Sequence, residues 1–110
     1  MVGFHRRLFE LDAQFVREQD DGVIVLGGSI YGAQGVIFNH PRTPCEAMLA
    51  VWFSNPIGCD PVDRSRHPNC LLERRGANLK TLSLVGLVGD GEVGGWEGWV
   101  VYGHVTEVEA

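Results

Sequence analysis

The pattern of apolar and polar positions begins with a helical spacing near the N-terminus. Phe4, Leu8, Leu11 and Phe15 recur at spacings of four, three and four residues, and charged residues fall mostly between them. One face of an α-helix collects positions with this spacing. The pattern therefore predicts an amphipathic helix over residues 4–19, ended by Asp20-Asp21-Gly22.

Short continuous apolar runs follow that segment. Val23-Ile24-Val25-Leu26 has no polar position and is bounded by glycines, and Val36-Ile37-Phe38 is a second run of the same kind. Runs of this length without alternation are typical of strands that are buried on both faces. We expect two or three short strands between residues 23 and 39, with the first one buried.

The clearest local motif is Thr43-Pro44-Cys45-Glu46. A threonine followed three residues later by glutamate is a capping box, and proline is well suited to the first helical position. The motif predicts a second helix that runs to about Phe53. The alternative is a strand over Ala50-Val51-Trp52-Phe53, whose side chains also suit a sheet.

Residues 54–78 show no apolar periodicity. Three prolines and Gly58 interrupt the segment, and Asn69 could cap a single helical turn over residues 70–75. The pattern predicts a long, mostly irregular loop. Loops of this length inside a compact domain are commonly functional or mobile, or they hide an element that the pattern does not reveal.

Extended apolar segments separated by glycines make up the last third of the chain. The segments are residues 82–88 and 99–105, and this arrangement predicts a β-hairpin or meander. In the extended conformation expected here, Trp96, Tyr102 and His104 lie on one face together with Val100, and Trp99 lies on the other with Val101 and Val105.

These elements together predict one α+β domain over residues 1–110. The N-terminal helix and the second short helix would pack on one face of a bent, mainly antiparallel sheet. The order of elements resembles the outline of cone-shaped α+β folds. No sequence motif supports that resemblance, and it assigns no functional residue.

Charge and cysteine content narrow the classes of partner and the compartment. The net charge is −5, and residues 90–110 hold five acidic residues and no lysine or arginine. Such a segment repels a nucleic-acid backbone, so we expect no nucleic-acid binding. No apolar run is long enough to cross a membrane, and three cysteines without a paired framework indicate a reducing, cytoplasmic location.

Two groups of side chains are candidates for ligand binding. The first is the aromatic cluster Trp96, Tyr102 and His104, where nearby glycines would let a ligand approach. The second is Arg64, Arg66 and His67 in the long loop, which could bind an anion. The alternatives are core packing or an oligomer interface for the aromatic cluster, and a solvated, internally paired loop for the second group.

Metal and covalent chemistry have little support in the sequence. Cys59, His67 and Cys70 are zinc-binding residue types, but their spacing matches no usual zinc pattern. Cys45 near a helix start could be activated, although a buried packing role is commoner. No nucleotide-binding motif is present. We therefore predict no metal and no cofactor, and no catalytic residue is assigned.

Two functional hypotheses follow. The first is a small-molecule-binding protein or cofactor-independent enzyme, with an apolar pocket between the N-terminal helix and the sheet. The second is a protein-interaction module, or an inhibitor of a basic partner, that acts through its acidic C-terminal segment. Under either hypothesis we expect a homodimer or larger assembly, because Val23–Leu26 and Trp99–Val105 are too apolar to face solvent.

Overall fold

The fold is built almost entirely from β-strands. A computed structural model of the protein describes residues 5–19, 22–27, 29–42, 47–63, 71–89 and 96–108. In these ranges a single short 3₁₀ turn, Leu8–Leu11, accompanies ten strands. The strands are β1 (His5–Arg7), β2 (Gln14–Gln19), β3 (Gly22–Gly27), β4 (Gly35–Asn39), β5 (Met48–Phe53), β6 (Leu71–Arg75), β7 (Ser83–Val85), β8 (Val88–Gly89), β9 (Glu97–Val101) and β10 (His104–Glu107).

The strands form two sheets. The six-stranded sheet has the order β3-β2-β4-β5-β6-β7, and the four-stranded sheet has the order β1-β10-β9-β8. The pairings between the described strands are antiparallel except β5 with β6, which run parallel, and an isolated parallel bridge joins Tyr31 and Ile57. Gly86 separates β7 from β8 and has φ +133°. The chain therefore passes from one sheet to the other at a residue whose backbone angle disfavours any side chain.

The main hydrophobic core receives side chains from both sheets. Phe15 and Phe53 of the six-stranded sheet pack edge to face, with ring centroids 6.4 Å apart. Trp96, Val100 and Val105 join the same cluster from the β9–β10 side. Because one cluster draws on both sheets, each sheet covers the inner face of the other.

A smaller cluster lies on the opposite face of the six-stranded sheet. Val16, Trp52 and Val62 are buried there together. Gly35 stands between Val16 and Trp52 in the strand register. A Cβ at Gly35 would lie 2.8 Å from Cε3 of Trp52. The absence of a side chain at Gly35 therefore leaves the space that the indole ring occupies.

The predicted α+β class is wrong, because the N-terminal segment forms no α-helix. Leu8 and Leu11 lie in the 3₁₀ turn, which ends at Asp12 with φ +52°, and Phe15 is already in β2. Phe4 lies outside the described residues. A short turn followed by a strand reproduces the helical spacing by coincidence, and β2 hides its own alternation because Phe15 and Val16 are buried on opposite faces.

The second predicted helix is also wrong, and the strand alternative is confirmed. Residues 48–53 form β5, a central strand of the six-stranded sheet. Leu49, Val51 and Phe53 enter the main core while Trp52 enters the smaller cluster. A strand that is buried on both faces gives a continuous apolar run, which periodicity cannot distinguish from a buried helix. The capping box at residues 43–46 lies outside the described residues.

Two further expectations need correction. Val23–Leu26 does form a strand, but it lies at the sheet edge, with Val23, Ile24 and Val25 all substantially exposed. The predicted loop of residues 54–78 contains β6, and the helical turn expected over residues 70–75 is instead this strand. The hairpin predicted between residues 82–88 and 99–105 is confirmed by the antiparallel pair of β8 and β9, whereas residues 99–105, expected as one extended segment, divide into β9 and β10. No helix of the described residues has the length and apolar character needed to span a bilayer.

Candidate interaction surface

The β9–β10 hairpin places apolar side chains alternately inward and outward. Val100 points into the main core, whereas Trp99 and Val101 on the other face of β9 are exposed to 44% and 53%. In the register of the hairpin, Trp99 lies opposite Thr106 and Val101 lies opposite His104. Residues that are directly opposite share a face, so these four side chains line the outer surface of the four-stranded sheet.

The turn between β9 and β10 has an unusual residue at its first position. Tyr102 has φ +48° and Gly103 has φ +72°. Positive φ at both central residues of a two-residue hairpin is the pattern of a type I′ turn, for which Asn-Gly is the preferred sequence. Tyrosine is disfavoured in this left-handed conformation, by roughly 1–2 kcal/mol.

Three hydrogen bonds hold the turn against the rest of the protein. The Tyr102 N–H donates to Ser83 Oγ at 2.9 Å. The Gly103 N–H donates to the Leu82 carbonyl at 2.7 Å, and the Gly103 carbonyl accepts from the Leu8 N–H at 2.8 Å. Because the backbone is fixed on both sides, the turn keeps a conformation that its tyrosine disfavours.

The ring of Tyr102 contributes little to the stability of the fold in this position. Its side chain is 68% exposed, so it adds little to the core. Trp99, Val101 and Tyr102 are three exposed apolar or aromatic residues at or next to the tip of the hairpin, and we call this group the hairpin surface. Val85 and Leu87 are also half-exposed, on the segment that contacts β9. An exposed apolar surface of this kind is characteristic of binding sites.

Charges of both signs lie on the outer face of the four-stranded sheet. Glu97 is exposed at the start of β9, and Arg7 of β1 is exposed and lies opposite His104. Glu107 of β10 lies opposite Gly98, on the inner face, and forms an ion pair with Arg42, whose Nε lies 2.5 Å from its Oε1. Hydrogen bonding to Glu107 raises the pKa of Arg42 above its ordinary value. Asp90, Glu92 and Glu109 lie outside the described residues.

The structure does not bring the predicted aromatic site together. Trp96 is in the main core, where its ring packs edge to face against His40 at 5.8 Å and covers Gly98. Tyr102 is at the exposed turn, and His104 is half-buried on the outer face of β10. The two-residue turn reverses the strand direction, so Val105 joins Val100 in the core and His104 joins Val101 outside.

The anion site predicted in the long loop stays a prediction. Arg64, Arg66 and His67 lie outside the described residues. Nearby, the Arg74 guanidinium donates to the backbone carbonyls of Asn55 and Gly76, and Arg75 Nε lies 3.2 Å from a carboxylate oxygen of Glu73. These two arginines of β6 therefore have local structural partners.

Cys59 is placed as a packing residue. Its thiol donates to the carbonyl of Ala33 at 3.6 Å, and burial raises its pKa. A thiol with a raised pKa is a weaker nucleophile at neutral pH. Within the described ranges, His, Cys, Asp and Glu side chains form no group of three that could hold a metal ion.

Trp99 and Val101 were not among the ligand-binding residues predicted from sequence, although the segment Trp99–Val105 was expected to contact a second subunit. Their signal was present, since Glu97, Trp99 and Val101 alternate with Gly98 and Val100 along β9. That alternation separates two faces without saying which of them is covered. Comparisons of the chain with protein-family models, with curated proteins and with solved structures found no match.

Proposed function

We propose that this protein is a protein-interaction module that binds a basic segment of a partner protein through the hairpin surface. The observation that carries the proposal is Tyr102, an exposed ring in an unfavourable left-handed turn. Three hydrogen bonds made by the main chain of the turn, two to backbone groups and one to the Ser83 hydroxyl, hold it in place. Strain retained at an exposed, rigid position is characteristic of functional sites.

The composition of the surface suits protein recognition. Tryptophan and tyrosine supply large contact areas with few rotatable bonds, and they are enriched among residues that dominate binding energy. Trp99 and Val101 project from a strand and Tyr102 from a fixed turn. A partner would therefore meet a preorganised surface and would lose little free energy in ordering it.

The charge of the chain indicates the sign of the charge on the partner. The C-terminal segment, residues 90–110, carries five acidic residues and no lysine or arginine, and the hairpin surface lies within it. A partner with lysine or arginine next to an apolar residue would match both its charge and its apolar centre. Attraction of this kind raises association rates and weakens as salt is added.

Protein recognition has more support than small-molecule binding. The pocket expected from sequence needed an N-terminal helix and a common face for Trp96 and His104. The N-terminal segment instead forms β1, the 3₁₀ turn and β2, and Trp96 and His104 lie on opposite faces of the four-stranded sheet. Both requirements of that pocket are missing.

A cytoplasmic location is also part of the proposal. Cys59 is a free thiol in the described part of the chain. Reduced cysteines that serve as small packing residues are typical of reducing compartments. The Cys59 contact with Ala33 needs no disulfide partner.

Replacing Tyr102 with asparagine is expected to stabilise the protein while weakening partner binding. Asparagine tolerates the left-handed region and restores the preferred Asn-Gly turn, so the free energy of unfolding should rise by about 0.5–1 kcal/mol. Urea denaturation followed by circular dichroism measures this change. A Y102N protein that is less stable than the parent would show that the tyrosine ring itself supports the fold.

Selection from a random peptide library displayed on phage tests the proposed function. Immobilised protein should enrich peptides that combine lysine or arginine with an apolar residue. The Kd of an enriched synthetic peptide should rise at least about tenfold in W99T and Y102N. It should also rise between about 0.05 and 0.3 M salt.

Met48→Thr provides the matched control. Met48 is an exposed apolar residue on β5, in the other sheet, so M48T should bind the selected peptides as the parent does. Failure to enrich any peptide would contradict the proposal, as would peptides that bind the parent, W99T and Y102N equally. Enrichment of uncharged or acidic peptides with no salt dependence would overturn the basic partner.

A further inference from the structure

The edge of the six-stranded sheet carries an apolar strand that the proposed function does not use. In β3, Val23, Ile24 and Val25 are exposed to 49%, 42% and 48%, although their side chains alternate between the two faces. Exposure on both faces at once means that this part of the β2–β3 hairpin extends beyond the main core. The strand carries no charged residue and no proline, the usual features that prevent edge-to-edge pairing.

The backbone of β2 shows which groups of β3 point outward. The Val16 carbonyl accepts from the Gln34 N–H at 2.8 Å, and the Glu18 N–H donates to the Gln34 side chain at 2.8 Å. Val16 and Glu18 therefore direct their main-chain groups toward the β4 side of β2. By alternation, Arg17 directs its groups toward β3, where it lies opposite Ile24.

The same alternation continues across β3. Since Ile24 exchanges hydrogen bonds with Arg17, the N–H and C=O groups of Val23 and Val25 point away from β2. Among the described strands, none lies on that side of β3. The edge thus offers two donors and two acceptors with the spacing of an antiparallel strand.

We infer that β3 pairs with β3 of a second copy of this chain, antiparallel and about a two-fold axis through Ile24. In this register Val23 lies opposite Val25 of the second copy, and each of these two pairs exchanges two hydrogen bonds. Ile24 lies opposite its own symmetry mate in a non-hydrogen-bonded pair. The outward main-chain groups of Val23 and Val25 are all satisfied by their symmetry copies.

The side chains are also self-complementary in this register. The two valines of each chain come together on one face and the two isoleucines meet on the other. Val25 lies opposite Val16 of its own chain, and Val16 belongs to the smaller cluster with Trp52 and Val62. Pairing would therefore join the smaller clusters of two copies through a row of valines.

Among the described residues, no like charges come together in the paired sheet. Arg17 and Glu18 are the described charged residues opposite β3, and they lie on β2, one strand away from the contact. Three strand spacings, roughly 14 Å, separate Arg17 from Arg17 of the second copy. The pairing of one short edge strand buries less than the ~1,200 Å² of a standard interface, so the dimer should be weak and dependent on concentration.

Disulfide trapping tests the register. In a protein whose three cysteines are replaced by serine, Ile24→Cys should cross-link to a dimer under mild oxidation, because opposed Cβ atoms lie about 4.5–5.5 Å apart. Val23→Cys is the matched control, since Val23 faces Val25 and not its own copy. Equal cross-linking of I24C and V23C would overturn this register, and no cross-linking of I24C would overturn the pairing.

Sedimentation of the unmodified chain tests the interface independently of cysteine chemistry. The average mass should rise above 12.1 kDa with increasing concentration, and V23K should remain monomeric at every concentration. V101K changes an equally exposed valine on the hairpin surface, so it should still dimerise while losing peptide binding. A parent that stays monomeric, or a dimer that survives V23K and dissociates in V101K, would overturn the inference.

Discussion

Trp96→Ala is expected to lower the free energy of unfolding by about 3–5 kcal/mol. Trp96 is 5% exposed, belongs to the main core and contacts the ring of His40. Its truncation would leave a large cavity between the two sheets and would uncover Gly98. Since small domains have a total stability of only ~5–15 kcal/mol, this one change should produce a measurable unfolded population.

Urea denaturation followed by circular dichroism measures this loss of stability. Circular dichroism is preferred to tryptophan fluorescence, because the substitution itself changes the fluorescence signal. Trp99→Ala is the matched control. Trp99 lies three residues after Trp96, on the outer face of the sheet, where it is half-exposed, and the substitution removes the same kind of side chain. That variant should lose only about 1 kcal/mol. Trp96→Phe, which keeps an aromatic ring, should fall between the two. Equal losses in W96A and W99A would show that Trp96 has no special role in the core.

Gly103→Ala is the second change with a large expected effect, about 2–4 kcal/mol of destabilisation. Gly103 has φ +72°, and a Cβ there would collide with the carbonyl oxygen of Leu79 and would lie 2.8 Å from that of Lys80. Backbone atoms cannot move aside as the end of a side chain can. The substitution would force the hairpin tip away from Leu82 and Ser83 and break the hydrogen bonds that hold the turn.

Gly22→Ala is the control for Gly103→Ala. A Cβ at Gly22 has no neighbour within 4 Å. Its stability should therefore stay within about 0.5 kcal/mol of the parent. The two central residues of the β9–β10 turn should also respond in opposite directions, with Y102N stabilising and G103A destabilising. A G103A protein as stable as G22A would show that residues 79–83 can move to accommodate the new methyl group.

The extended character of the last third of the chain was predicted correctly, because residues 82–88 and 99–105 are apolar runs next to glycines. The division of the second run into β9 and β10 was not predicted, since Gly103 was placed within a strand. β2 and β5 were mistaken for helices because each buries side chains on both faces, which removes the alternation. The local sequence pattern shows only which positions of a segment are apolar. Which faces of a strand are buried depends on the elements that pack against it.

The candidate site was predictable only in part, for a related reason. Tyr102 was singled out, but its grouping with Trp96 assumed a continuous strand through residue 104. A turn at Tyr102-Gly103 lacks the usual Asn-Gly signature, so the reversal of faces could not be foreseen. The edge position of β3 depends on pairing with β2 alone, and nothing within Val23–Leu26 indicates how many neighbours the strand has.

The pairing of β1 with β10 has a consequence for the order of folding. His5 lies opposite Thr106, so the four-stranded sheet is completed by contact between segments from the two ends of the described chain. Closing so long a loop has an entropic cost, which the chain incurs before the β1–β10 contact can stabilise the folded sheet. During synthesis the β2–β3 hairpin can form early, whereas β1 must wait until β10 has left the ribosome. The apolar edge of β3 is therefore available to other chains before β1 pairs with β10 and completes the four-stranded sheet.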